Sequence, residues 1–297
     1  TFRCLHFNDA LGAPLGFDLC QLCFYARHHL VFWQPLSARP NPYEMARAYH
    51  AVRWSVFYGR LGTAGGSNLA EGILMSLEFD RRQIRSYAIR AGRMTPGQIN
   101  ALETQWSEYG IEPTDQLLLV DALFPRVAPV VLEIGFGMGD SLFEMAQTNP
   151  DLNFIGVEVH RPGVGHLLHR AAEAELTNLR VMSEDSVGIL ANCIPEGALA
   201  TIQIFFPDPW HKKKHHKRRL ISSEFLTLIF SCLAPGGILH VATDWAPYAE
   251  AIDEVLGGHP GFTVATPPAR AVTKYERRGL RLGHKVFDRA WCRAVSS

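Results

Sequence analysis

Lysine is missing from the first 211 residues of this chain; all of it lies from Lys212 onward. A protein so built has no uniformly basic surface, and whatever cationic work it does must fall to arginine or to one late segment. Long apolar runs are missing too. No stretch of 18 apolar residues exists, so no transmembrane helix is expected. Asp18, Arg27, His28 and His29 interrupt the one apolar N-terminal stretch, which lacks a convincing cleavage site for a secretory leader. Cysteine is sparse and irregular: of Cys4, Cys20, Cys23, Cys193, Cys232 and Cys292, only Cys20 and Cys23 are close, which excludes a disulfide framework. Cys20-x-x-Cys23 with Cys4, His28 and His29 nearby could be read as a zinc site, but a lone C-x-x-C with this histidine spacing fits no usual finger, and no metal is expected. These absences imply a reduced, cytoplasmic protein without membrane association or an obligate protein partner.

What is present is unevenly placed. The formal net charge is zero, yet residues 81–93 carry five arginines and no acid, residues 94–210 carry 16 acids against four arginines, and residues 211–297 carry 14 Lys/Arg against seven acids. An acidic centre between two basic blocks suits a cationic ligand beside surfaces for a polyanion. Residues 1 to about 80 are rich in aromatics, Gly and Pro and show no sustained period, whereas the first residue is not Met and Met75 precedes the basic 81–93 arm. We read 1–80 as an irregular extension, poorly ordered or outside the functional protein, and 81–297 as one domain.

From Thr95 the pattern becomes regular. Thr95-Pro96-Gly97-Gln98 reads as a capping box opening a helix through about Tyr109. Apolar strands are expected at Val130–Ile134, Asn153–Val157, Leu179–Met182, Leu199–Phe206 and Ile238–Ala242, the last after a Pro235-Gly236-Gly237 turn. Helices should start near Asp140, cover Leu167–Leu176, Val187–Ala191, Ser222–Leu233 and Tyr248–Leu256, and a closing hairpin should end in Lys285–Arg293. Such alternation predicts an α/β fold: a seven-stranded, mostly parallel, Rossmann-like sheet with helices on both faces. Ligands then sit at the carboxyl ends of the strands.

The candidate site residues fall at those ends. Gly135, Gly137 and Gly139 follow the first strand, but Asp140 stands where a dinucleotide fingerprint needs its third glycine. Glu133 would repel a pyrophosphate and suits an ammonium or sulfonium, which favours S-adenosylmethionine over a nicotinamide cofactor. Glu158, after the second strand, can accept ribose hydroxyls, and Asp185, after the third, an adenine amino group. After the fourth strand, Pro207 and Pro209 fix the backbone around Asp208, and Trp210 offers a face for a base. Then comes His211-Lys212-Lys213-Lys214-His215-His216-Lys217-Arg218-Arg219, a patch suited to phosphates. A nicotinamide oxidoreductase and a non-catalytic RNA-binding module are the rival classes. The second gives the three strand-end acids and the constrained Asp208 no purpose.

Glu133–Asp140, Phe205–Arg219, Ala242-Thr243-Asp244-Trp245 and Thr273–Gly279 resemble bacterial tRNA (guanine-N7)-methyltransferases, with similarity from about Arg81 to near the end of the chain. The resemblance implies a class I methyltransferase using S-adenosylmethionine to methylate guanine 46 in the tRNA variable loop. It implies cofactor roles for Glu133, Glu158, Asp185 and Asp208, with Asp208 also catalytic. Lys212, Asp244, Thr273, Lys274, Tyr275 and Glu276 would bind substrate. Lys214, His215, His216, Lys217, Arg218 and Arg219 would contact tRNA.

Overall fold

The computed structural model describes residues 85–87, 92–114 and 116–295. The Cys20-x-x-Cys23 pair, the 1–80 extension and most of the 81–93 arm lie outside the described residues.

The first helical segment opens as its capping box dictates. Thr95 accepts the Gln98 amide and Gln98 reaches back to the Thr95 amide at 2.9 Å. The expected single helix is two: α1 (Pro96–Thr104) and α2 (Trp106–Tyr109), broken at Gln105. Apolar strand segments then alternate with amphipathic helices in the order β1 (Val130–Ile134), α3 (Asp140–Thr148), β2 (Asn153–Val157), α4 (Arg161–Glu173), β3 (Leu179–Met182) and α5 (Ser186–Asn192). The second half continues with β4 (Leu199–Phe205), α6 (Ser223–Cys232), β5 (Leu233–Thr243), α7 (Ala246–Gly257), β6 (Phe262–Ala265), α8 (Lys274–Arg281) and β7 (Phe287–Arg293).

The seven strands form one sheet in the order β3-β2-β1-β4-β5-β7-β6. Strands β1 to β5 pair in parallel, β7 lies antiparallel between β5 and β6, and six strands therefore point one way with β7 alone against them. Strands β1 and β2 are buried along their whole length and β3 and β4 nearly so, as helices covering both faces require. The pleat sends Val130, Leu132 and Ile134 into one apolar cluster and Val131 into the other. The alternation puts Glu133 on the side of Val131, where it is 3% exposed.

Two further expectations shift. Pro235-Gly236-Gly237 lies within β5 as an irregularity, where the pairing jumps from Leu199↔Leu233 to Thr201↔Ile238. Gly236, at φ 79°, takes the conformation that a strand residue with a side chain resists. Second, the segment between β6 and β7 contains α8, where only a hairpin was expected. Its sequence, KYERRGLR, has no apolar stripe to announce a helix.

Candidate active site

A cleft of about 690 Å³ opens at the carboxyl ends of β1, β2, β4 and β5, where Ile134, Val157 and Phe205 meet the loops that follow them. The reversal of strand order between β1 and β4 splays those loops apart, which is where open α/β sheets bind ligands.

On the β1 side, Gly135, Gly137 and Gly139 all have positive φ, at 74°, 61° and 79°. Residues with side chains resist that conformation, and only a glycine turn can fold so tightly into α3. The same turn is pressed by α4: a Cβ at Gly163 would lie 1.8 Å from the Gly137 carbonyl oxygen. Glu158 braces the turn from β2, accepting the Gly137 N–H at 2.8 Å and the His160 N–H at 2.9 Å. Each Glu158 oxygen keeps further acceptor capacity towards the cleft, which it lines. Glu133, on β1 two residues before the turn, is buried and does not itself line the cleft. Its Oε2 has no hydrogen-bond partner among the described residues, an expensive condition for a buried carboxylate. Burial pushes its pKa up to about 8; the Arg270 charge pulls against this and Glu158 adds to it. An orphaned acid on the strand that leads into a glycine turn fits a cationic ligand. Asp185 caps α5 by accepting the Val187 N–H at 3.1 Å, and burial raises its pKa. It sits between Glu184 and Ser186, which line the cleft where Asp185 itself does not.

On the β4 side, Asp208 lines the cleft with Oδ1 accepting the Trp210 N–H at 3.1 Å. Phe206 and Trp210 flank it with φ of 52° and 46°. Two non-glycine residues in that region store strain, and such strain collects at functional loops. Asp244 faces the same cleft with Oδ2 3.1 Å from His284 Nδ1. Gly279 leaves room for this carboxylate, since a Cβ there would stand 3.1 Å from Asp244 Oδ2.

The basic segment divides in two. Residues 213–218 wind into a 3-10 helix, with Lys212, Lys213, Lys214 and Lys217 exposed and without an acidic partner among the described residues. His215 and His216 are half-buried. Arg218 and Arg219 turn inward. Arg218 covers the Trp210 ring at 3.8 Å and donates to the carbonyls of Arg85 (3.0 Å) and Tyr87 (3.1 Å). Arg219 donates to the Pro209 carbonyl at 3.0 Å and lies over Tyr248. The Trp210 face expected to receive a base is thus occupied by Arg218, and its Nε1 donates to Ser86. Tyr275, 59% exposed, and Trp245, 36% exposed, are open aromatics that line the cleft. Thr273 caps α8 by accepting the Glu276 N–H at 3.1 Å, Lys274 is exposed, and Glu276 pairs with Arg270.

Sequence reasoning passed over Arg270, Asp288, His240 and His284. The first three are single polar residues that meet only when β7 folds against β5, and no local spacing announces them. His284 sits just past α8, an element that went unread.

The fold and cleft define an α/β methyltransferase-type enzyme, and comparison with known proteins narrows the class. A family model described as putative methyltransferase matches residues 127–289. A tRNA (guanine-N(7)-)-methyltransferase of Shewanella piezotolerans is 51% identical over 215 residues, covering 70% of this chain and 91% of the relative. One from Saccharophagus degradans is 48% identical over 229 residues, covering 74% of this chain and all of the relative. Among solved structures, the 16S rRNA methyltransferase KamB is 17% identical with a TM-score of 0.42, covering 71% of this chain and 99% of that one. The chain belongs to the tRNA (guanine-N7)-methyltransferase family.

Proposed function

We propose that this protein transfers a methyl group from S-adenosylmethionine to N7 of guanine 46 in the variable loop of tRNA. The observation that carries the reading is one cleft lined by Glu158, which braces the glycine turn, and by Asp208 and Asp244, with the orphaned Glu133 buried on the strand that leads into that turn. The tRNA substrate and N7 specificity rest on the names of relatives about half identical to this chain.

Glu133 would hold the cofactor's ammonium, Glu158 its ribose hydroxyls, and the turn at Gly135, Gly137 and Gly139 would let its backbone-facing side approach. Asp185 would accept from the adenine amino group. Bound there, S-adenosylmethionine would supply an electrophilic methyl group to the N7 lone pair, with the sulfonium–methyl bond breaking and neutral S-adenosylhomocysteine leaving. That lone pair is free in neutral guanine, so the chain needs no strong general base. Its residues position and stabilise instead. Asp208 accepts from N1–H and the exocyclic amine of guanine, and its charge offsets the positive charge that grows on the purine as the N7–carbon bond forms. Asp244, held by His284, supports the same edge. Lys212 also lies on this side, just after the Asp208 loop, and is assigned to the substrate. The setting in this proposal is the cytoplasm, with tRNA as macromolecular partner; among the described residues no helix is long and apolar enough to cross a membrane.

The test is methyl transfer from labelled cofactor to an unmodified tRNA transcript and to a partner transcript lacking guanine 46. Label entering only the first transcript is expected. Label in both would move the target base, and label in neither would reject tRNA as substrate.

The exposed lysines and the inward arginines should separate in the same assay. Phosphate contacts release counterions, so removing Lys214 and Lys217 together should lower the slope of log affinity against log salt by roughly 0.7 to 0.9 per contact. Arg218→Ala should instead release the Arg85–Tyr87 segment and weaken binding with little change of slope. An unchanged slope in the lysine variant would remove those lysines from the phosphate contacts.

A further inference from the structure

Helix α8 forms the cleft wall on the β5–β7 side, presenting Tyr275, Arg278 and Gly279 to the cavity. Gly279 is its only buried residue, so α8 has almost no apolar surface with which to stay on the sheet. What holds it is ionic. Glu276 Oε2 accepts from Arg270 Nη1 at 2.5 Å, the two side chains being 14% and 5% exposed. The same guanidinium reaches Asp288 Oδ2 on β7 through Nε at 2.9 Å and Nη2 at 2.8 Å. Asp288 Oδ1 in turn lies 2.6 Å from Nε2 of the buried His240 on β5. Arg270 also stacks over Phe205, three residues before Asp208, at 4.9 Å. One buried cation therefore joins α8, the last strand and the root of the Asp208 loop.

The charges support one another. Burial works to lower the Arg270 pKa and to raise that of Asp288, yet their mutual contacts, with Glu276 and His240, carry Arg270 above its ordinary value and hold Asp288 below its own. In such a cluster, removing one partner strands the others, and a broken buried pair costs far more than an intact one contributes.

Glu276 falls within the Thr273–Glu276 quartet assigned above to substrate. Its carboxylate, however, is spent on Arg270, and Glu276 does not line the cleft. We propose that Arg270 is a positioning residue that docks α8 onto the sheet, with Glu276 as its anchor on the helix, so that both shape the RNA-side wall without touching guanine. Only the kinetic half of the test below rests on the methyl-transfer reading.

Glu276→Gln leaves Arg270 paired with Asp288, and Arg270→Lys keeps the charge while losing the two-pronged reach, so both should fold. In the protein without ligand or RNA, amides of residues 274–281 should exchange about tenfold faster in either variant, with β1 to β4 unchanged. On tRNA, KM should rise about tenfold or more, since a misplaced wall weakens substrate positioning, while kcat falls less. The double variant should cost no more than the worse single one, because partners in one pair are not additive. Unaltered exchange in Glu276→Gln alongside lost methyl transfer would overturn the proposal and make Glu276 a direct ligand. Costs that multiply in the double variant would overturn it as well. Should the wild-type protein methylate no tRNA, the functional reading falls, and the exchange rates still decide whether Arg270 docks α8.

Discussion

Replacing Asp208 by asparagine should lower kcat on the order of 10²- to 10³-fold, the range seen when one preorganised electrostatic partner of a transition state is removed, with cofactor affinity nearly unchanged. The substitution is clean because the turn survives it. Oδ1 accepts the Trp210 N–H, and an asparagine carbonyl accepts it equally well, so the strained backbone at Phe206 and Trp210 has no reason to relax. What disappears is the charge. A carboxylate facing the cleft stabilises positive charge growing on guanine, whereas a neutral amide contributes only a dipole and offers a misplaced donor to N1–H. Steady-state methyl transfer, with cofactor affinity measured separately by calorimetry, would check this. Near-normal kcat would remove Asp208 from the chemistry. An equal loss of cofactor affinity would reassign it to the cofactor.

The second large effect concerns Glu133. Glu133→Gln should weaken S-adenosylmethionine binding about 10- to 100-fold at pH 8, as expected when a charge-assisted hydrogen bond is lost inside a protein. The pH dependence is the sharper signature. A carboxyl raised from 4.5 to about 8 is mostly protonated at neutral pH without ligand, and an ammonium recruits its ionised form. Wild-type affinity should therefore strengthen between pH 6 and 7.5, and this gradient should vanish in the variant. Stability runs the other way. Between 4.5 and 8 the unfolded chain gives up this proton while the folded chain keeps it, so the ligand-free protein loses stability as pH rises through that window. At pH 8 the ligand-free Glu133→Gln protein should melt no lower than wild type while binding cofactor far worse. A pH-independent wild-type affinity, or a variant that melts well below wild type, would contradict the assignment.

How much of this was legible in the chain depends on whether the signal was local. The capping box at Thr95, the first four apolar strands and the glycines at 135, 137 and 139 are patterns within a few residues and fold as read to within a residue, whereas the fifth strand starts five residues before its expected Ile238. Glu133, near the end of β1, could be matched to a cationic group and Glu158, directly after β2, to ribose hydroxyls because strand ends are where such a sheet holds ligands. Helix α8 could not be read, since a polar helix held by ion pairs carries no apolar period. Nor could Arg218 be separated from Lys217. Composition makes them equal; only the approach of residues 85–87, more than a hundred positions earlier, turns one inward and leaves the other to solvent.

The strand order β3-β2-β1-β4-β5-β7-β6 also sorts the chemistry by inheritance. Glu133, Glu158 and Asp185 come from the wing that is complete by α5, and Asp208, Asp244 and α8 from the wing that begins at β4. On the proposed assignment, the residues for the methyl donor lie in the first wing and those for the acceptor in the second, so the acceptor side can be rewritten while the donor side is left alone.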